Sequence, residues 1–313
     1  MRMLKAAAAV VGGLLVLLIF YGVGIEPRLL LDIEEEDAPI PGLPAAWQGQ
    51  RIAMLADFQV GMWWANTGMA RRAVEAALRQ RPAALLLAGD FIYHPDADPL
   101  ELVEEVAEIL EPIRGSGVPA FAVLGNHDWA LDVEDGTRNP QAAQRVRQAL
   151  AALGITLLHN QAVPLTGAAG EPPLYLVGLG SHYAGDDRPA EALARVPAGA
   201  ARVVFMHNPS SFPAIAAGAA PLAVAGHTHG GQIRIPFTES WSWIEIVRAG
   251  EVHADGWIDG YGAAGNRLYV NRGIGFSDLP IRINCRPELT LFTLRATPET
   301  ARAQGSPAAA RGT

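Results

Sequence analysis

The sequence has a single cysteine, Cys285, and a single lysine, Lys5. One thiol can form neither a disulfide within the chain nor a zinc site made of several thiolates. Charged residues make up only 18% of the 313 residues, and the net charge is -8. The composition therefore offers no basic surface for nucleic acid. We expect no nucleic-acid partner and infer no protein partner.

Two common catalytic signatures are also missing. The chain contains neither a Gly-x-Ser-x-Gly turn nor a phosphate-binding P-loop. What the sequence does contain is a set of polar groups at the ends of apolar runs. These runs are residues 51–56 before Asp57, 83–88 before Gly89-Asp90, 120–124 before Gly125-Asn126-His127-Asp128, and 202–206 before His207-Asn208.

Such runs are typical of buried strands in an α/β sheet, and ligands of these sheets bind beyond the carboxyl ends of the strands. A further segment, Gly226-His227-Thr228-His229, places two imidazoles one residue apart. In an extended segment these two side chains face the same side. We therefore predict that carboxylate, amide and imidazole groups converge on one sheet edge. Helical periodicity over residues 65–81, 99–114 and 141–153, between the strands, indicates the α/β class.

Five blocks of the chain resemble the calcineurin-like metallophosphoesterases. The family pattern runs Asp-x-His, Gly-Asp, Gly-Asn-His-Asp, a lone His and Gly-His-x-His, and it is matched in that order except at one position. The segments GHTHGGQIRIP (226–236) and YVNRGIGFSDLPIRINCRP (269–287) are similar to a membrane-associated bacterial branch. That branch includes a cell-wall-facing phosphoesterase and UDP-2,3-diacylglucosamine hydrolases. The resemblance covers residues 49–295 and implies a four-layer αββα sandwich.

The resemblance also implies a ligand set for two divalent or trivalent metal ions. Asp90 would bridge the ions, Asp57 and His229 would bind the first, and the second would be bound by Asn126, His207 and His227. Carboxylate, amide and imidazole groups suit Mn, Fe or Zn. So many ligands exceed the needs of one ion but fit two ions about 3.5–4 Å apart that share a carboxylate.

Two neighbouring residues receive catalytic roles by the same resemblance. The ions would activate a water for in-line attack on phosphorus and neutralise the charge that grows on the phosphoryl oxygens. His127 would contact the phosphate or protonate the leaving oxygen. Asp128 would orient the His127 ring.

The one departure from the family pattern is Gln59, where the family has a histidine ligand of the first metal. A glutamine carbonyl oxygen is a weaker ligand than imidazole for these metals. Tyr93 is the alternative, because the distantly related purple acid phosphatases bind iron through a tyrosine at this spacing. Either Gln59 or Tyr93 completes the first site. The same departure favours a catalytically inactive binding module, whereas the retained His127 and later ligands favour an enzyme.

Three further residues are weaker candidates for substrate contact. Arg272 and Arg282 flank the glycine-rich segment after Tyr269 and could pair with a phosphate or pyrophosphate. His182 follows another apolar run and either lines the substrate cleft or lies in a surface loop. Residues 236–262 are rich in tryptophan and isoleucine, and they form either packed core or a lid that accepts acyl chains.

The N-terminus predicts a membrane anchor. Residues 6–25 are uncharged and, at about 1.5 Å per residue, long enough to cross a bilayer. A cleavable signal peptide is the rival interpretation, but Phe20, Tyr21 and Ile25 form a poor cleavage region. Arg2 and Lys5 precede the span and acidic residues follow it, which indicates an extracytoplasmic catalytic domain.

The remaining segments complete the predicted organisation. Residues 1–25 form the transmembrane anchor, and residues 26–48 form a tether whose acidic residues and prolines disfavour regular structure. Residues 49–295 form the phosphoesterase domain, and residues 296–313 form a disordered tail. We expect a single-pass membrane enzyme that hydrolyses a phosphodiester, pyrophosphate or phosphomonoester of an amphiphile. UDP-2,3-diacylglucosamine pyrophosphate hydrolysis is the alternative activity.

Overall fold

The computed structural model describes residues 1–93, 99–134, 136–167, 171–235, 242 and 255–297. The helices of this part are α1 (Arg2–Phe20), α2 (Glu26–Leu29), α3 (Thr67–Arg79), α4 (Leu100–Leu110), α5 (Pro140–Ala152) and α6 (Pro189–Leu193), with a π-helical turn at Tyr21–Ile25. The three helices predicted from periodicity are thus confirmed as α3, α4 and α5. Asn139 caps α5, because its side chain accepts the amides of Gln141 and Ala142.

The strands of the described residues form two mixed sheets. Their bounds are β1 Asp32–Ile40, β2 Arg51–Leu55, β3 Ala84–Ala88, β4 Ala120–Val123, β5 Thr156–Leu157, β6 Gln161–Leu165, β7 Leu174–Gly178, β8 Arg202–Phe205, β9 Ala223–Ala225, β10 Gly256–Ile258, β11 Leu268–Val270 and β12 Glu288–Ala296. Sheet one has the order β1-β12-β2-β3-β4-β5, and sheet two has the order β10-β11-β9-β8-β7-β6.

The two sheets pack face to face around an apolar core. Ile52, Met54 and Leu86 of sheet one lie in one buried cluster with Leu176 and Phe205 of sheet two. The opposite face of sheet one is covered by α3, α4 and α5, and the opposite face of sheet two by α6 and a helical turn at Pro209–Ala214. This order of helix, sheet, sheet and helix is the predicted four-layer α/β architecture.

Strand direction brings the polar strand ends together. β2, β3 and β4 run parallel to one another, and so do β7, β8 and β9. Asp57, Asp90 and Asn126 follow the first three strands, whereas His207 and His227 follow β8 and β9. Both sheets therefore deliver side chains to one edge of the sandwich, as the apolar runs predicted.

The interpretation of residues 26–48 as an irregular tether is wrong. Asp32–Ile40 is a nine-residue strand that pairs in parallel with β12 along its whole length. Pro39 is tolerated because β1 is an edge strand, where a missing amide donor breaks no central ladder. The buried side chains of Ala38, Ile40 and Leu43 join the core between the sheets. Tertiary pairing therefore overrides the low strand propensity of this acidic segment.

The N-terminal helix is continuous from Arg2 to Leu29 and has a mean hydropathy of 2.5 over its most apolar window, of which 6% is buried. It is the one helix among the described residues that is long and apolar enough to cross a membrane. At the other end of the chain, β12 extends through Ala296, so the first residue of the predicted disordered tail belongs to a strand. Residues 298–313 lie outside the described residues.

Candidate metal centre

One half of the predicted centre lies around His207. Its Nδ1 contacts the carbonyl oxygen of Ala88 at 2.8 Å, which fixes the ring and leaves Nε2 facing the site. That Nε2 lies 3.1 Å from Asp90 Oδ2, 3.1 Å from Asn126 Oδ1 and 3.2 Å from His227 Nδ1. Asp90, His207 and His227 offer ligand atoms within 4.8 Å of one another. We call this the second half-site.

Asn126 presents its oxygen to the second half-site. Its amide nitrogen donates to the carbonyl oxygen of Leu131 at 2.7 Å, which leaves Oδ1 pointing at His207. Asn208 supports the same oxygen through a 3.4 Å contact from its Nδ2. The amide oxygen is therefore held facing the second half-site, and its role as a metal ligand stays a prediction.

The first half-site is formed by Asp57, Asp90 and His229, whose ligand atoms also lie within 4.8 Å of one another. His229 Nε2 is 3.9 Å from Asp57 Oδ1. Asp57 also accepts the backbone amide of His227 at 3.0 Å, which ties the two half-sites together. Because Asp90 belongs to both groups, the geometry matches the bridging role that the resemblance implied.

Gln59 completes the wall of the first half-site. Its Nε2 lies 3.0 Å from Asp90 Oδ2 and 3.2 Å from His229 Nε2. Its Oε1 is buried and, within the described residues, has no hydrogen-bond partner. Rotation of the amide by 180° exchanges these two atoms and would aim the oxygen at Asp90 and His229. A cation between these groups would give that oxygen a partner, so the residues present fit a metal ion.

Tyr93 is the other candidate ligand of the first half-site. Its ring packs on the His127 ring with 4.9 Å between centroids, and its backbone amide donates to Val60 O. Gln59 has direct contacts to two predicted ligands, Asp90 and His229. A metal contact by Tyr93 stays a prediction.

Several candidate site residues share a strained backbone conformation with positive φ. Twelve non-glycine residues of the described chain have positive φ, and five of them are Asp57, Gln59, Asp90, His227 and His229. Such conformations cost about 1–3 kcal/mol each and persist where the surrounding structure enforces them. The expectation that the His-x-His segment is extended is therefore wrong, because left-handed turns rather than strand alternation aim both imidazoles at Asp90.

Two glycines leave room for the carboxylates. A Cβ on Gly125 would lie 2.0 Å from Asp90 Oδ1, and one on Gly273 would lie 2.4 Å from Asp57 Oδ2. Gly273 also has φ of +67°, which an L side chain rarely adopts. Any larger residue at either position would displace a predicted ligand.

The charges at the site are buried and coupled. Burial raises the pKa of Asp57 to about 7. Burial alone would lower the pKa of His207, but Asp90 and Asp57 outweigh it and raise that pKa to about 9. Burial also lowers the pKa of His229 well below its ordinary value, and the cation of Arg282 adds to the effect. A neutral imidazole beside buried carboxylates suits a bound cation.

His127 borders the centre without joining either half-site. Its backbone amide donates to Asp90 Oδ1 at 2.9 Å, and its Nε2 lies 3.9 Å from Asp90 Oδ2. Its Nδ1 is 4.0 Å from Asp132 Oδ1. The imidazole therefore lies beside the shared carboxylate, within reach of a group bound there.

Asp128 accepts backbone amides around the site, and its predicted role as the partner of the His127 ring stays a prediction. Its carboxylate accepts the backbone amides of Asp90, Phe91, Ile92 and Gly125 at distances of 2.8–3.3 Å. These bonds join the loop after β3 to the loop after β4. Asp128 thus positions the backbone at Asp90 and at Gly125, the residue before Asn126.

The two arginines predicted to bind phosphate have protein groups as partners. Arg282 is fully buried and donates to the carbonyl oxygens of Gly275, Arg272 and His229. Arg272 pairs with Glu288 at 2.7 Å and with Asp32 and Glu34 at 3.1 and 2.8 Å. Their guanidinium groups stabilise the loops behind Asp57 and His229, and a substrate contact by either arginine stays a prediction.

His182 lies outside both half-sites. Its Nδ1 hydrogen-bonds to Asp187 Oδ2 at 2.9 Å, and this bond raises the pKa of His182. A substrate contact by His182 stays a prediction. The sequence reasoning missed its neighbour Tyr183, whose buried ring packs edge-on against His227 at 4.8 Å. In the sequence, only the position of Tyr183 next to His182 could have indicated that Tyr183 lies at the site.

The tryptophan-rich segment 236–262 is described in part. Trp257 belongs to β10, packs against Tyr269 and Phe292, and donates to Glu36. It is packed core and does not belong to a lid. Phe237, Trp241, Trp243, Ile244, Ile246 and Val247 lie outside the described residues.

Two acid–imidazole groups that share Asp90, at the edge of a two-sheet α/β sandwich, fit a metal-dependent hydrolase. The family model for calcineurin-like phosphoesterases matches residues 50–231. The chain belongs to the calcineurin-like phosphoesterase family.

Curated relatives match most of the chain. It is 31% identical to the phosphodiesterase YaeI of Escherichia coli, over 78% of this chain and 82% of the relative. It is 24% identical to the uncharacterized metallophosphoesterase YkuE of Bacillus subtilis, with 87% and 88% covered. It is 23% identical to the UDP-2,3-diacylglucosamine pyrophosphatase LpxG of Chlamydia muridarum, with 80% and 85% covered.

Proposed function

We propose that the protein hydrolyses a phosphodiester of a membrane or envelope amphiphile at a centre of two metal ions. The observation that carries this proposal is the pair of half-sites that share Asp90, each with ligand atoms within 4.8 Å. The similarity to a phosphodiesterase supports the diester. The apolar N-terminal helix supports an amphiphilic substrate, because it would keep the enzyme at a lipid surface.

The chain's own residues set the reaction geometry. Asp57 and His229 would hold the first ion with Gln59, and the second would be held by His207, His227 and Asn126. When bound, Mn, Fe or Zn ions supply Lewis acidity that activates water and neutralises phosphoryl charge. Asp90 faces both half-sites because its Oδ1 is occupied by the His127 amide while its Oδ2 points inward.

His127 is the proposed proton donor. Its side chain is 8% exposed and lies next to the shared carboxylate, where a phosphoryl group would rest. The Tyr93 ring packs against it and limits its rotation. In this position the imidazole can donate a proton to the leaving oxygen as the phosphorus–oxygen bond breaks.

A substrate panel tests the proposal. The full-length protein, loaded with Mn, Fe or Zn, is assayed on bis-p-nitrophenyl phosphate, on p-nitrophenyl phosphate and on lipid phosphodiesters in vesicles. We expect diester hydrolysis to exceed monoester hydrolysis. Monoesterase activity alone would contradict the proposal.

Hydrolysis of the UDP-2,3-diacylglucosamine pyrophosphate bond is a second candidate, favoured by the similarity to LpxG. The same panel with this lipid nucleotide distinguishes the two activities. A catalytically inactive module is not favoured, because both half-sites retain their carboxylate and imidazole groups.

We further propose that α1 is an uncleaved single-pass anchor with the catalytic domain outside the cytoplasm. The residues after the apolar stretch support retention of the helix, since Glu26 and Pro27 are buried in the folded domain. Arg2 and Lys5 before the span support the orientation. Protease added to intact spheroplasts should cut the domain, and complete protection would contradict this orientation. An intact-protein mass that includes residue 1 would confirm retention.

A further inference from the structure

The end of the N-terminal helix is built into the catalytic domain. The carbonyl oxygen of Gly22 accepts the backbone amide of Arg282 at 2.8 Å, and a Cβ on Gly22 would lie 2.5 Å from Ile283 Cγ1. Glu26 is 1% exposed and accepts the amides of Asn284 and Cys285. The helix therefore joins the domain by close packing rather than through a flexible linker.

The helix arrives at the same edge of the sandwich as the metal centre. β1 begins at Asp32, opposite Glu288, and runs parallel to β12. β12 is antiparallel to β2, so the start of β1 lies where β2 ends and delivers Asp57. A bilayer crossed by α1 would thus lie on the side of the domain that carries the half-sites.

Two exposed tryptophans stand at this junction. The side chains of Trp63 and Trp64 are stacked with 6.4 Å between centroids, and the residues are 59% and 66% exposed. Their loop follows Gln59 directly, so it borders the first half-site. Trp64 has φ of +59°, a conformation that non-glycine residues rarely adopt. The fold thus holds an exposed aromatic pair in a defined position.

Arg28 connects this pair to the helix end. Its guanidinium donates to the carbonyl oxygens of Trp64 and Ala65 at 2.8 and 3.2 Å and lies 5.9 Å from the centre of the Trp64 ring. On the other side, Trp63 Nε1 donates to Asp278 O at 3.3 Å, beside Leu279, which is 44% exposed. We call Arg28, Trp63, Trp64 and Leu279 the tryptophan platform.

The charge around the platform is compatible with lipid headgroups. Asp32 and Glu34 are the first acidic residues of β1, and Arg272 pairs with both. This pairing reduces the negative potential that would repel phosphate groups of a bilayer. Tryptophan and arginine side chains are typical of the headgroup region, where a ring can be buried while its polar group stays hydrated.

We propose that the tryptophan platform rests in the headgroup region of the membrane spanned by α1 and holds the metal-binding edge against the lipid surface. The substrate then reaches the half-sites from the bilayer, and it is a lipid whose phosphoester lies at headgroup depth. The substrate part of this inference rests on the proposed phosphodiesterase function. The position of the platform does not.

Fluorescence quenching by lipids tests whether the tryptophan platform lies in the headgroup region of the membrane. Full-length protein is reconstituted in phosphatidylcholine nanodiscs with and without lipids brominated near the headgroup end of the acyl chains. The protein has seven tryptophans, so Trp63→Phe/Trp64→Phe is compared with wild type and with Trp47→Phe. Trp47 is the matched control because it is buried and lies beyond the far end of β1, about 30 Å from the junction.

We expect the bromolipid quenching of the wild type to fall in Trp63→Phe/Trp64→Phe and to persist in Trp47→Phe. Equal quenching in the wild type and the double variant would overturn the platform. Phenylalanine keeps an aromatic ring at each position, and far-ultraviolet circular dichroism and thermal unfolding of each variant check that the fold is retained.

A second measurement tests the substrate route. In Trp63→Ser/Trp64→Ser, the ratio of activity on a nanodisc phosphodiester lipid to activity on bis-p-nitrophenyl phosphate should fall about tenfold, because polar residues lose their interfacial binding. An unchanged ratio in an active enzyme would overturn the bilayer route. Absence of phosphodiesterase activity in the wild type, together with normal quenching, would instead refute the proposed function and leave the platform in place.

Discussion

The two half-sites of the centre share Asp90 but differ in how completely they are built. The second half-site has His207 fixed by a backbone carbonyl and Asn126 with its oxygen turned inward. In the first, Gln59 stands where the family has histidine and turns its nitrogen inward. The difference teaches that a second ion would meet pre-oriented side chains, whereas a first ion would require the Gln59 amide to rotate. We expect the first ion to be the more weakly held.

The largest loss of activity should come from removing His207 from the second half-site. His207→Ala removes the ring that contacts Asp90, Asn126 and His227, so we expect loss of the second ion and a fall in kcat/KM of about a thousandfold or more. Elemental analysis and steady-state kinetics measure both. His207→Gln controls for a cavity in the buried site. Retention of two ions in both variants would contradict the assignment.

A substitution of His127 tests whether this residue acts in the chemical step rather than in metal binding. His127→Ala should lower kcat about 100- to 10,000-fold, as expected for a lost proton donor, with metal content retained. Substrates with a better leaving group should lose less, because they need less protonation. Equal loss across a series of leaving groups would contradict the role of His127 as the acid.

Asp128→Asn should lower stability, in contrast to His127→Ala, which should lower kcat. The asparagine amide can accept fewer of the four backbone donors, so the free energy of unfolding should fall by about 1–3 kcal/mol. The dependence of kcat on the leaving group should stay as in the wild type. Chemical denaturation and the same leaving-group series measure these effects. Unchanged stability with a His127-like kinetic profile would support the catalytic interpretation of Asp128.

Gln59→His gives the first half-site a second imidazole, so that each half-site has two. An imidazole should bind the first ion about 10- to 100-fold more tightly than the amide does. Competition with a chelator, followed by the metal content, measures the change. Gln59→Ala is the matched variant and should weaken the same ion. If both substitutions leave the affinity unchanged, Gln59 is not a ligand.

The smallest effect is expected for Tyr93→Phe. The ring that packs on His127 is retained, so kcat/KM should stay within about threefold and the metal content should not change. Iron-loaded wild type should show no visible tyrosinate band. A visible band that vanishes in Tyr93→Phe would move the missing ligand from Gln59 to Tyr93.

Much of the fold could be predicted because its signals are local. Apolar runs that end at polar residues gave β2, β3, β4 and β8, and helical periodicity gave α3 to α5. The β1 strand could not be predicted in this way. Its stability comes from pairing with β12, some 250 residues later in the chain, and its acidic residues find partners such as Arg272 and Arg295 only in the folded structure.

The convergence of the acid and imidazole groups could be predicted from the motif, but the partners of neighbouring residues could not. Asp128 stands beside His127 in the sequence, and Arg282 follows the glycine-rich segment after Tyr269. In the structure both side chains are buried, and a buried guanidinium or carboxylate takes the backbone partners that surround it. The left-handed turns at His227 and His229 are equally invisible to a period-two pattern.

The central claim is that one carboxylate, Asp90, holds two ions together. The most direct test is elemental analysis of the full-length protein beside Asp90→Ala, with circular dichroism of both to compare their folds. We predict two ions per wild-type chain, and in the variant a folded protein that has lost both ions and its phosphodiesterase activity. A wild type that hydrolyses phosphoesters without any bound ion, or a variant that keeps both ions and full turnover, would contradict the claim.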